Sequence, residues 1–90
     1  MKYESIADIK TANRAKGHHW FDNDTLGFFK SRVGESVYGG RFFVSSEKGP
    51  NMQRRYTVRE ASKDGSISTV GEFQQYATLA QARSAAQSYA

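Results

Sequence analysis

The sequence has no cysteine, one proline and few aliphatic side chains, with only five Val, three Ile and two Leu in 90 residues. The absence of cysteine excludes a disulfide framework, a thiolate nucleophile and any Cys-based zinc or iron-sulfur site. No apolar run approaches the roughly 18 residues needed to span a bilayer, and the opening MKYESIADIK lacks the apolar centre of a signal peptide. The expectation is a soluble protein of the cytoplasm. What the chain lacks in aliphatics it has in rings, with six Phe, five Tyr and one Trp. Each ring buries about 150 to 250 Å², so aromatics must supply most of the core. A chain of this length makes one domain, residues 1–90, and folding hides about 60 to 65% of its unfolded surface. The net charge of +4 permits an acidic partner without requiring one.

Ser5 with Asp8 three residues on resembles a capping box. Ile6, Ile9 and Ala12 then recur at helical spacing, which predicts a helix over Ser5–Lys16 stopped by Gly17 in a left-handed cap. Asp22, Asn23 or Asp24 is placed to cap a short helix with Leu26 and Phe29 on its inner side. From Ser31 to Tyr76 the composition turns β-rich. SRVGESVY reads as a weak strand, and RFFVSSE, RRYTVREAS and SISTVGEFQQY as better ones. Gly39-Gly40, the segment from Lys48 to Asn51, and Asp64-Gly65 are the turn signals between them, and such short connections imply antiparallel pairing. Thr78 and Gln81 form a capping box before an Ala-rich helix whose buried stripe is expected to be Leu79, Ala82, Ala86 and Tyr89. The fold class expected is α+β: an N-terminal helix, a short helical segment, a three- to four-stranded antiparallel sheet and a C-terminal helix, with the helices on one face of the sheet.

Alternation along the strands then sorts the side chains. Tyr56 and Val58, Phe42 and Val44, and Ile67, Thr69, Gly71 and Phe73 are assigned to the core. Arg55, Thr57 and Arg59 fall on the opposite, outer face, with Arg41, Lys48 and Arg54 nearby and Phe43 as its one ring. This basic face is the candidate partner-binding surface, formed by Arg41, Lys48, Arg54, Arg55 and Arg59. Guanidinium groups bind carboxylates or phosphates in a bidentate fork, although Arg, Thr and Glu are also ordinary residues of a solvated sheet.

Other chemistry finds less support. His18 and His19 are adjacent and diverge in an extended chain, so a metal site made of them with Asp22 and Asp24 lacks defined geometry. One ring capping the core beside Trp20 and Phe21, the other ring in solvent, and helix capping by the aspartates account for all four residues. No Gly-x-Ser-x-Gly elbow and no phosphate-cradling glycine loop occurs. No catalytic residue, metal or cofactor is expected.

The segments GHHWF (Gly17 to Phe21), FFKSRV (Phe28 to Val33), YGGRFFVSSE (Tyr38 to Glu47), RRYTVRE (Arg54 to Glu60) and TVGEFQQY (Thr69 to Tyr76) resemble a family of short uncharacterised proteins encoded by phages, prophages and plasmids. That resemblance implies a setting, the bacterial host cytoplasm. It also implies a class of role, in which a small non-enzymatic accessory protein binds a host protein or nucleoprotein complex and modulates it, host defence machinery included. The order helix, three strands, helix is also similar to the double-stranded-RNA-binding domain, whose latter part the stretch from Glu47 to Ala86 resembles, with Gly49-Pro50 in the loop between its first two strands. Asn51, Met52 and Gln53 stand where that family carries a His, and only Arg83 matches its lysine cluster at the last helix. A direct nucleic-acid interface through the same arginines and Arg83 is the second expectation, and an enzyme or metal site at His18 and His19 the third.

Overall fold

The computed structural model describes residues 2–49 and 53–90. The first helix, α1 (Ile6–Ala15), starts where Ser5 Oγ accepts the Asp8 N–H at 3.2 Å. It ends at Gly17, whose φ of +79° only glycine adopts without strain. A single short turn, α2 (Asn23–Gly27), follows. Asp22 occupies its N-cap position, but the carboxylate makes no capping bond and instead meets the His19 ring. The last helix, α3 (Leu79–Tyr89), opens on the expected capping box. Thr78 Oγ1 accepts the Gln81 N–H at 3.2 Å, and Gln81 Oε1 accepts the Thr78 N–H at 3.3 Å.

Between the helices, β1 (Arg32–Val33), β2 (Phe42–Glu47), β3 (Arg55–Ala61) and β4 (Ile67–Val70) form an antiparallel sheet in the order β1-β2-β3-β4. The class is α+β, as the sequence pattern predicts. The weak first strand keeps only two paired residues, and the loop expected from Lys48 to Asn51 lies partly outside the described residues, at Pro50 and Asn51. The turn at Asp64-Gly65 joins β3 to β4, closed by the Ser62 N–H donating to Ser66 O at 2.9 Å.

Helices α1 and α3 pack against opposite faces of this sheet, not one. Phe42, Val44 and Val58 lie with Ala82 and Ala86 of α3, and Tyr56 and Val70 pack against this cluster. Phe43, one residue away and so pointing the other way, lies with Ile9 of α1, Tyr3, Phe21 and Ala61, joined by Trp20, Val33 and Ile67. All six residues of β2 are therefore buried. The face assigned to solvent is a second core. Phe43 has no exposed surface, and Phe73, assigned to the interior, is 42% exposed. The last strand lies the other way over from the expected assignment, because Thr69 pairs with Arg59 and Ile67 with Ala61, which puts both on the α1 face and leaves Val70 to the α3 cluster. After Val70, Gly71 (φ +76°) and Gln74 (φ +57°) then redirect the chain. In α3, Ala82 and Ala86 are buried as expected, whereas Leu79 and Tyr89, at the two ends of the helix, keep 37% and 46% of their surface exposed, Tyr89 stacking on Phe42 at 5.7 Å.

Candidate functional site

The two-sided packing takes the expected basic face apart. Arg41 and Lys48 flank opposite ends of β2, roughly 20 Å apart at about 3.3 Å per residue. Arg41 Nε pairs with Glu60 at 3.3 Å, and its guanidinium lies over the Phe42 ring. Arg55 turns its guanidinium onto main-chain carbonyls, Nε donating to Gln74 O at 2.8 Å and Nη2 to Gln75 O at 3.1 Å, and so pins the segment after β4. Arg54, one position earlier, bonds to Ser46, whose side chain is on the α3 side of β2. Arg83 is exposed on α3.

Arg59 is the largest departure from expectation. Its side chain is 10% exposed and sits inside the α1 face. Nε donates to Ser45 Oγ at 2.9 Å, Nη1 to Thr69 Oγ1 at 2.6 Å and Nη2 to Glu47 Oε2 at 3.3 Å. Glu47, 1% exposed, also accepts from Thr57 Oγ1 at 2.7 Å through its other oxygen. The strand register explains the group, because Ser45, Thr57, Arg59 and Thr69 share one face in paired positions across β2, β3 and β4. Trp20 and Phe73 then cover the guanidinium, with ring centres 5.4 and 5.5 Å from its carbon. Contacts of this kind are favourable cation–π geometry.

Above this ion pair opens a cleft of about 460 Å³, walled by Trp20, Leu26, Phe28, Phe29 and Phe73, with Arg59, Glu47, Asp24, Thr25 and Ser31 as its polar lining. Such a volume, apolar with a few convergent polar groups, is typical of a binding pocket. Its rings contact one another, Phe28 edge to face on Phe29 at 4.7 Å and Phe29 tilted against Phe73 at 5.3 Å. Phe28 is 78% exposed. The Lys48 N–H donates to Phe29 O at 2.7 Å and ties the end of β2 to the segment that carries the rings, but the Lys48 side chain does not line the cleft. Arg59 uses three of its five N–H donors within the protein, leaving one on each terminal nitrogen. Sequence reading pointed to Arg59 but missed the cleft's rings, although the doublet Phe28-Phe29 on a single turn already left one ring without a core to enter.

The two histidines part company as expected. His18 Nε2 lies 3.6 Å from Asp64 Oδ2, and His19 Nδ1 lies 2.9 Å from Asp22 Oδ2. The Ser62 hydroxyl and the Ser66 N–H donate to Asp64 and hold its carboxyl well below the usual carboxylate range. No cluster of three metal-ligating side chains occurs among the described residues, and no helix there is long and apolar enough to cross a membrane.

Residues 5–87 match the family of unknown function DUF7447, and the chain belongs to that family. No curated protein and no solved structure matches it.

Proposed function

We propose that the protein is a small non-enzymatic accessory protein of phage type that binds and modulates a host protein, with the aromatic cleft as its docking site. The occupant is a partner segment that inserts an aromatic or leucine side chain and offers a carbonyl or carboxylate oxygen to Arg59. The carrying observation is the exposure of Phe28 and Phe73, 78% and 42%, around a cleft floored by a buried guanidinium with two N–H groups to spare. Interface anchors are aromatic side chains and arginines seated in pockets of this kind. The polar groups of the floor bond one another, which supports a role in binding over one in chemistry.

The test is affinity capture from bacterial host lysate with the wild type and with Phe28→Asp, Phe73→Asp and Arg41→Glu variants. A single defined partner should be retained by wild type and Arg41→Glu, and lost by both phenylalanine variants at unchanged thermal stability. Retention by the Phe28→Asp, Phe73→Asp double variant would overturn the reading. So would sedimentation showing a wild-type dimer that Phe28→Asp dissolves, because the occupant would then be a second copy of the chain.

A further inference from the structure

On the α3 side of the sheet, away from the aromatic cleft, two arginines converge on one serine. Arg32 of β1 is the cross-strand partner of Ser46, so both side chains project to the same face. Arg54, entering β3, reaches the same serine, with Nη1 donating to Ser46 Oγ at 2.8 Å and to Ser46 O at 3.2 Å. Arg32 and Arg54 line a pocket of about 220 Å³ together with Ser46, Val44, Tyr56 and Leu79, and no Asp or Glu lines it. Among the described residues neither guanidinium has a carboxylate within ion-pair distance, whereas Arg41 and Arg59 each have one. Lys10 and Lys63, by contrast, lie on exposed surface and line none of the pockets described.

We propose that this pocket binds a phosphate group carried by an organic ester. Two guanidinium forks approaching from different strands match an ion with several equivalent oxygens better than they match a planar carboxylate. Arg54 is held by Ser46 through one nitrogen, which leaves its Nε and Nη2 donors available in a fixed orientation. Leu79, the first residue of α3, forms one wall, so the positive end of that helix dipole adds to the local potential. Tyr56, Val44 and Leu79 supply an apolar wall for the organic part of the ester. This site is independent of the aromatic cleft. It keeps Arg54 from the basic face expected of the sequence, releases Arg55 and Arg59, and adds Arg32.

Phenyl phosphate, inorganic phosphate and a short single-stranded oligonucleotide can each be titrated into the ¹⁵N-labelled protein at constant ionic strength. The expected result is a saturable shift of the Ser46 amide and the Arg32 and Arg54 side-chain resonances, half-complete near about 1 mM phenyl phosphate. Arg32→Gln or Arg54→Gln should weaken binding about tenfold each, since a charge-assisted hydrogen bond is lost, with the remaining resonances in place as proof of folding. Tighter binding of the oligonucleotide, competed by phenyl phosphate, assigns the phosphate to a nucleic-acid strand. Binding of the small phosphates alone assigns it to a free ester or ion. Linear, unsaturated shifts, or equal affinity in the Arg32→Gln, Arg54→Gln double variant, would overturn the site.

Discussion

At the scale of single residues, the Glu47–Arg59 pair carries the largest electrostatic stake, because both side chains are almost wholly out of water. Breaking such a pair strands the surviving charge. Glu47→Ala should therefore lower unfolding stability by about 3 kcal/mol, read by urea denaturation, whereas the double variant Glu47→Leu, Arg59→Met should recover most of that loss. An equal loss in both would mean that the hydrogen bonds to Ser45, Thr57 and Thr69, not the stranding of a charge, are what matters. The grouping of Arg55, Thr57 and Arg59 on one face was legible in the sequence from alternation alone. Its burial was not, for two physical reasons. The counter-charge Glu47 sits on another strand, and the covering rings Trp20 and Phe73 come from irregular segments whose position no periodicity fixes.

At the scale of elements, the helix caps and hairpin turns were the most legible features, because each rests on two or three neighbouring residues. Gly65 shows why such a turn tolerates no replacement. Its φ is +81°, and a Cβ there would fall 2.5 Å from the main chain of Ala12 and Asn13 in α1. Asn13 is itself fully buried and donates through Nδ2 to Gly65 O at 2.7 Å, so helix and hairpin touch backbone to backbone. Gly65→Ala should cost roughly 2 kcal/mol or more from combined strain and displacement of α1, visible as a lowered urea midpoint with unchanged slope. A Gly65→Ala protein as stable as wild type would show that α1 moves away freely. The side of the sheet on which each helix packs was harder to read. The run Phe42-Phe43-Val44 is apolar at consecutive positions, as a strand covered on both faces must be, but the polar half of β2, Ser45 to Glu47, masks that signal with side chains that are buried and hydrogen-bonded.

At the scale of the whole molecule, two apolar clusters share the strands β2 and β3, one closed by α1 and the loops, the other by α3. Neither is large, and neither helix has a second layer behind it, so stability must be greatest where the clusters meet. Amide hydrogen exchange should be slowest at Val44, Ser45, Thr57 and Val58, approaching the free energy of global unfolding, and should be faster by more than tenfold in α2 and at the ends of α3. Slowest exchange in either helix would place the last structure to open outside the sheet. The same layout separates the two proposed sites, the ringed cleft on the α1 side and the arginine pair on the other, so that each can be altered without touching the other.

Trp20 is the sole tryptophan of the chain. It touches Phe21 and Phe43 of the core at 4.8 and 5.6 Å, stacks beside Arg59 and forms a wall of the cleft. The molecule thus carries one native fluorophore at the junction of its interior and its docking surface. Its emission, free of contributions from any other indole, registers both the integrity of the fold and the arrival of an occupant, and spectral position and quenching separate the two without an added label.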